Sequence, residues 1–361
     1  MSDYDVAVIG GGAAGLSAAL VLSRARRRVL VVDGGMPRNA PAARMHGFLS
    51  RDGFAPGELL AAGRKEVQGY GGEILHGAAT GLVPDGAAGF WVLLAGGKRI
   101  SARRLLVATG LRDELPGIPG LRERWARDVL HCPYCHGHEV ADRQLGVLGG
   151  SPDAVRYAQI VRQWTGDLVY FTPPGTLTRA ERSGLLARGI GVVDGTVEQL
   201  VVHQGRLCGV QLRDGCVVRR EVLFVPPRFV PNDSLLAGLG CAVDGKGWVT
   251  VDAAGRTSVP GVWAAGNVVD PRAQVITAAG QGSAAAIAIN ADLVEDDVRD
   301  AIRDHDHGLL PGPAVSARLP QTPRPAPSGG AGSSPPATPA SVRRSCPSAA
   351  VWRYGMAHCR R

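Results

Sequence analysis

Short apolar runs separated by glycine-rich turns set the rhythm of the chain. Val6-Ala7-Val8-Ile9 is an unbroken run of the kind that makes a strand buried on both faces. It gives way to Gly10-Gly11-Gly12-Ala13-Ala14-Gly15, and then to an alanine- and leucine-rich stretch that predicts a helix to about Arg26. Val29-Leu30-Val31-Val32 repeats the strand pattern and ends in Asp33. A second unit of the same kind begins at Gly146-Val147-Leu148, turns at Gly149-Gly150-Ser151-Pro152-Asp153-Ala154, and continues to the strand Leu168-Val169-Tyr170-Phe171. Further on, Gly261-Val262-Trp263-Ala264-Ala265-Gly266-Asn267 predicts a strand entering a turn, with a helix from about Ala273 to Leu293. Strands alternating with helices predict an α/β fold with parallel sheets.

The first unit is complete enough to carry chemistry. Gly10 suits a tight turn, Gly12 lets the backbone approach a pyrophosphate, and Gly15 lets the helix pack close to the strand. The helix start at Ala13 and Ala14 offers free N–H groups and a partial positive charge to phosphates. Asp33, 18 residues beyond Gly15, stands where a carboxylate accepts from ribose hydroxyls. A glycine turn with no ligand is the plainer reading, but every contextual element of a dinucleotide site is present. The turn at Gly266 would aim a second helix N-terminus at an electron-rich ligand. Taken alone, that segment is an ordinary strand–turn–helix crossover.

Composition narrows the setting. At roughly 150 residues per domain, 361 residues predict two domains. No apolar run approaches the ~18–20 residues of a membrane helix, and the start, Met1-Ser2-Asp3-Tyr4-Asp5, is acidic where a secretory signal is basic. The expectation is a soluble, cytoplasmic protein. The net charge of +8 raises nucleic acid as a partner, but from His307 onward there are seven arginines and no Asp, Glu or Lys. Setting those seven aside leaves 33 basic residues against 32 acidic ones. The basicity belongs to a tail, 307–361, that also holds ten of the 25 prolines and predicts disorder. Its scattered arginines, with few aromatics between them, do not make a nucleic-acid surface.

Of seven cysteines, only Cys132 and Cys135 are close, in His131-Cys132-Pro133-Tyr134-Cys135-His136-Gly137. This spacing supports a disulfide across one helical turn, and a helix N-terminus lowers the pKa of the first thiol. Zinc is the competing use. It wants four ligands, yet there is no second CxxC, and seven residues separate Cys208 from Cys216. A redox pair is the better reading, with no metal site. His136 beside the pair is a candidate general acid–base, since an imidazole titrates near neutrality.

These motifs, with Ala108-Thr109-Gly110 and Gln274-Val275-Ile276-Thr277, resemble the thioredoxin reductase class of pyridine nucleotide-disulfide oxidoreductases over about residues 4–300. The resemblance implies two Rossmann-like three-layer nucleotide-binding domains, the second inserted in the first. A discontinuous FAD domain would span 1–115 and 244–300, and an NAD(P)-type domain carrying the cysteines would span 116–243. It implies that Cys135 faces the flavin, that Cys132 exchanges with substrate, and that the protein is a homodimer. Thr109, Gly110, Gly266, Gln274, Val275 and Thr277 would join Gly10 to Gly15 and Asp33 around FAD. Asn267 stands where relatives usually have an aspartate touching the ribityl chain, and an amide can still hydrogen-bond there.

Three departures sharpen the reading. In the second turn Ser151 replaces the middle glycine, Pro152 follows, and Asp153 puts negative charge where phosphates would arrive. After Phe171 the chain reads Thr172-Pro173-Pro174-Gly175-Thr176-Leu177-Thr178-Arg179, where NADPH-using relatives carry an HRRxxxR-like cluster. One arginine is a poor clamp for a 2′-phosphate dianion, so both changes count against NAD(P)H. Finally, His136 replaces the acidic residue that usually follows the second cysteine. The resulting CxxCHG pattern, with Arg38-Asn39 and His46-Gly47, resembles the dithiol oxidase branch, which closes disulfides in gliotoxin- and holomycin-type natural products and returns electrons to oxygen. The resemblance thus implies an FAD-dependent thiol–disulfide oxidoreductase, acting on a small dithiol or disulfide or on a thioredoxin-like protein. An NAD(P)H-dependent thioredoxin reductase and a non-catalytic flavoprotein redox sensor are the alternatives.

Overall fold

The computed structural model describes residues 3–86 and 89–307; the tail expected to be disordered lies, beyond His307, outside them. The chain forms β1 (Tyr4–Ile9), α1 (Ala13–Arg24), β2 (Val29–Asp33), α2 (Pro56–Gly69), β3 (Glu73–His76), β4 (Ala79–Pro84), β5 (Phe90–Leu94), β6 (Arg99–Val107) and β7 (Leu111–Glu114). It continues through α3 (Leu121–Arg124), β8 (Val129–Leu130), α4 (Pro133–His136), β9 (Leu145–Leu148), α5 (Ala154–Val161), β10 (Leu168–Thr172), α6 (Arg179–Ala187) and β11 (Ile190–Asp194). Then come β12 (Val197–His203), β13 (Arg206–Leu212), β14 (Val217–Arg219), β15 (Val222–Phe224), β16 (Arg228–Pro231), α7 (Ser234–Gly238), β17 (Val262–Ala264) and α8 (Val275–Asp306).

Two sheets carry the α/β architecture. The first runs β3-β2-β1-β6-β5-β4, with β17 also paired to β6. Its β3, β2, β1, β6 and β17 are parallel, and β4 and β5 return antiparallel. The second, β11-β10-β9-β15-β8, is parallel throughout. Burial explains why β1 is an uninterrupted apolar run: Val6, Ala7 and Val8 are fully buried, with one core cluster on each face of the sheet. The antiparallel ribbon β7–β16, with Arg112 opposite Val230, connects the chain entering the second sheet to the chain leaving it.

The predicted elements recur with shifted ends. The helix expected from Ala273 to Leu293 starts at Val275 and continues to Asp306. Leu293 is its last buried residue, so the apolar periodicity stops there while the helix does not. Beyond it, charge takes over from burial. Arg104 pairs with Asp296, Arg103 Nη1 lies 2.8 Å from Asp297, and Arg299 and Arg303 each pair with an aspartate one turn earlier. No helix of the described residues is long and apolar enough to cross a membrane.

Candidate active site

The first glycine turn is built by close contact. Gly10 has φ +112°, and a Cβ there would fall 2.3 Å from the Ala108 carbonyl oxygen. One on Gly15 would fall 1.8 Å from the Gly10 carbonyl oxygen, so α1 leaves β1 at a distance that no side chain allows. Gly12 is different: its Cβ would meet nothing within 4 Å, and it opens onto a cavity of about 1400 Å³. Asp33, at the end of β2, accepts from the Gly35 N–H at 3.1 Å and lies 3.8 Å from Arg64 Nη1.

That one cavity collects nearly every predicted residue. Gly10, Gly12, Ala13, Ala14, Asp33, Arg38, Asn39 and His46 line it, as do Thr109, Gly110, Gly266, Asn267, Gln274, Val275 and Thr277. Cys132, Cys135 and His136 line it too. Gly15 does not; it is packed beneath the turn, against Gly10.

Cys132 and Cys135 form a disulfide, with Cα atoms 5.2 Å apart. Cys132 is the extended residue before the single turn α4, and Pro133 opens that turn, where a missing N–H costs nothing. Gly137 is dictated by packing: a Cβ there would lie 2.7 Å from the Trp164 ring and 2.5 Å from the Pro133 carbonyl oxygen. Trp164 also holds the exposed Tyr134 edge-on, with centroids 5.6 Å apart. On the inner side, Gln274 Nε2 approaches Cys135 Sγ at 3.8 Å. Gln274 is the N-cap of α8, so this sulfur stands beside the free N–H end of that helix.

The histidines around the disulfide have distinct surroundings. His136 is half-buried, and desolvation holds it below its ordinary value, opposed by Glu139 and reinforced by His46. At neutral pH it is therefore an unprotonated base beside the sulfurs. Burial, with the nearby Arg38 charge, pushes His131 down to about 4. Its ring packs edge-on to Phe229 at 5.1 Å. His46 has Nδ1 3.2 Å from Asp52 and Nε2 3.4 Å from Glu139, so it ties the 45–53 loop to the turn that follows the disulfide.

Several contributors carry no local sequence signal. Asp113 takes two hydrogen bonds from Arg38, at 2.9 and 2.7 Å, and Arg38 stacks over Phe229 at 5.1 Å. Asn232 accepts from the Thr109 hydroxyl at 2.6 Å and donates to the Thr109 carbonyl at 2.9 Å, clamping the strand end. The Tyr157 hydroxyl donates to the His131 carbonyl from α5. Gln281 accepts from the Gly266 N–H at 3.0 Å. Each depends on a partner distant in sequence. Asn267 donates both amide hydrogens to the Asp270 and Ala273 carbonyls, at 2.8 and 3.0 Å, and accepts from Arg38 at 3.4 Å. An aspartate could not make the first two bonds.

Known proteins resemble this chain in sequence and in fold. Thioredoxin reductase sirT of Leptosphaeria maculans is 30% identical over 308 residues, covering 80% of this chain and 94% of that one. The alkyl hydroperoxide reductase F protein of Pseudomonas putida is 31% identical over 305 residues, 79% of this chain, which spans only 57% of that relative's length. The crystal structure of HlmI superposes with a TM-score of 0.83 at 56% identity, covering 85% of this chain and 97% of that one. Residues 4–282 match the pyridine nucleotide-disulphide oxidoreductase family, and the chain belongs to that family of enzymes.

Proposed function

We propose that this enzyme is an FAD-dependent thiol–disulfide oxidoreductase working as a dithiol oxidase. The observation that carries this reading is the Cys132–Cys135 disulfide lining the same cavity as the Gly12 turn, with Cys135 beside Gln274. The residues fit FAD: open space at Gly12 would accept a pyrophosphate, Asp33 a ribose, and the N-terminus of α8 the electron-rich end of the flavin. Bound FAD would supply the two-electron acceptor for the reduced cysteine pair, passing electrons to oxygen as hydrogen peroxide.

The protein side is thiol exchange. A substrate thiolate attacks Cys132 Sγ, the Cys132–Cys135 bond breaks, and Cys135 leaves as thiolate. The second substrate thiolate attacks the substrate sulfur of this mixed disulfide, closing the product disulfide and releasing Cys132. His136 takes the thiol proton, its lowered pKa keeping it available as base.

The division into an FAD domain, 1–115 and 244–300, and an inserted domain, 116–243, is part of this reading. Membership of β1 to β6 and β17 in one sheet, and of β8 to β11 and β15 in the other, supports it. A homodimer is supported by Ile287, Val294, Val298 and Ile302, exposed along α8. The cytoplasmic setting rests on the sequence alone. The relatives' names favour a second reading, a thioredoxin reductase fed by NAD(P)H. Anaerobic titration of the purified protein with dithiothreitol, NADH and NADPH, followed by flavin absorbance, separates the two. We expect the dithiol to bleach the flavin far faster than either nucleotide; rapid bleaching by micromolar NADPH alone overturns the oxidase reading.

A further inference from the structure

One wall of the cavity that holds the disulfide is a helix that the proposed chemistry does not use. Pro152, Asp153, Arg156, Tyr157 and Ile160 all line the cavity. Their spacing puts them along one side of α5 and the turn before it. Tyr157 ties this side to the disulfide, because its hydroxyl bonds the carbonyl of His131, the residue before Cys132. Trp125 and Pro227 add apolar surface to the same cavity.

Into this wall is set an arginine without a partner. Three other arginines of the cavity are engaged: Arg38 by Asp113, Arg44 by the Gly53 carbonyl at 3.1 Å, and Arg64 by Asp33 at 3.8 Å. Arg272, two positions before Gln274, also makes no side-chain ion pair or hydrogen bond among the described residues, but it lies in the segment entering α8 and not on the α5 wall. Among the described residues, the exposed Arg156 makes no ion pair or side-chain hydrogen bond, not even with Asp153 three positions earlier. A guanidinium in the same cavity as an exchangeable disulfide, with apolar surface around it, suits a small ligand with a thiol pair at one end and an anion at the other.

Building on the dithiol oxidase reading, we propose that the α5 face forms the outer wall of the substrate pocket and that Arg156 selects dithiols bearing a carboxylate. Arg156 is a specificity residue here. It recognises the end of the substrate that does not react and takes no part in sulfur exchange. The same anion preference could serve the phosphates of a pyridine nucleotide, so the test includes one.

Dihydrolipoate and dihydrolipoamide are matched probes, the same dithiol carrying a carboxylate or a neutral amide. Peroxide formation by the FAD-loaded full chain gives kcat/KM for each, and their ratio cancels any loss common to both. For the unmodified enzyme we expect a preference for dihydrolipoate of about tenfold, expressed in KM, since an exposed charge-assisted contact is screened by water. Arg156→Gln should bring the ratio to about one, Arg156→Lys should retain part of it, and Arg156→Glu should reverse it. Equal kcat/KM for the two probes in the unmodified enzyme, or a preference that survives Arg156→Gln, overturns the proposal. Loss of the preference together with an equal loss of NADPH-driven flavin reduction assigns Arg156 to nucleotide phosphate and overturns it as well. If dihydrolipoate, dihydrolipoamide and dithiothreitol all fail to reduce bound FAD, the oxidase reading falls and this inference with it. Reduction by dithiothreitol with no selectivity between the matched pair sinks the inference alone.

Discussion

The two glycine turns of this enzyme share a topology and differ in what they leave open. Both first glycines are fixed by the backbone: a Cβ on Gly10 would strike the Ala108 carbonyl, and one on Gly149 would lie 2.6 Å from the Phe171 carbonyl oxygen. The turns then diverge. Gly12 opens onto the cavity, whereas its counterpart is Ser151, followed by Pro152 and Asp153. Gly15 brings α1 against β1, whereas the corresponding position of the second turn is Ala154, fully buried. At the end of β2 stands the carboxylate of Asp33; at the end of β10 stands Thr172, buried and bonded to the Thr176 hydroxyl at 2.6 Å. The second turn is also crowded by its own neighbouring strand. A Cβ on Gly149 would also lie 2.6 Å from the Tyr170 hydroxyl, a phenol whose pKa burial pushes up. One fold element therefore supplies a cradle in the first unit and a wall beside a disulfide in the second. Topology alone does not distinguish those uses; the atoms at the third and fifth positions of the turn do.

The largest test of this contrast is Gly12→Val. Nothing in the protein opposes the new side chain, so the fold should survive while the pyrophosphate loses its approach. Flavin content measured by absorbance should fall to about a tenth or less, and turnover with it. Ser151→Val, at the corresponding place in the second turn, should leave flavin content unchanged. Normal FAD loading of Gly12→Val would break the comparison at its root.

A smaller effect is expected where the second unit meets the disulfide. His136→Gln should lower kcat/KM for a dithiol by about 10²–10⁴, the usual worth of a positioned base. Protonation disables this base as pH falls. Because burial depresses its pKa, the acid limb of kcat/KM should lie below the ordinary histidine value of 6.5. The limb should vanish in His136→Gln. A limb unmoved by the substitution would assign the proton to another group.

Legibility follows sequence distance. The Gly10-to-Asp33 unit is readable because its strand, turn, helix and acid follow one another within about thirty residues, and the apolar runs flanking it are buried on both faces, although the Ala108 carbonyl that fixes Gly10 is far away in sequence. Cys132 and Cys135 are readable for the same reason. The helix at Val275 is visible in the sequence, but its pattern ends at Leu293 because periodicity reports burial, and past that point Asp296 and Asp297 tie the helix down by charge. Arg38 stands out without its partner, since Asp113 comes 75 positions later on β7. The glycine of CxxCHG is plain in the sequence, while its cause, Trp164, is not. Asp153 reads, in sequence, as an obstacle to phosphate. In the structure it is the N-cap of α5, without a side-chain cap bond, and it shares the cavity with the disulfide.

That placement allows the finest test, restoration of the second turn. In Ser151→Gly/Asp153→Ser the middle position is opened and the exposed carboxylate removed from the helix start. A charge at a helix terminus is worth about 0.3–1 kcal/mol, so the charge change alone should raise nucleotide-driven flavin reduction only a few-fold. The new glycine adds backbone approach, bringing the expected gain to about tenfold at most. Two obstacles are untouched: Tyr170 still crowds the turn at Gly149, and Thr172 to Arg179 still lack a basic cluster. Because neither change creates a 2′-phosphate clamp, NADH and NADPH should gain equally. Stopped-flow flavin reduction under anaerobic conditions reads both rates. A rise of several orders of magnitude would show that those two side chains were the whole barrier, and the two turns would then differ far less than their surroundings indicate.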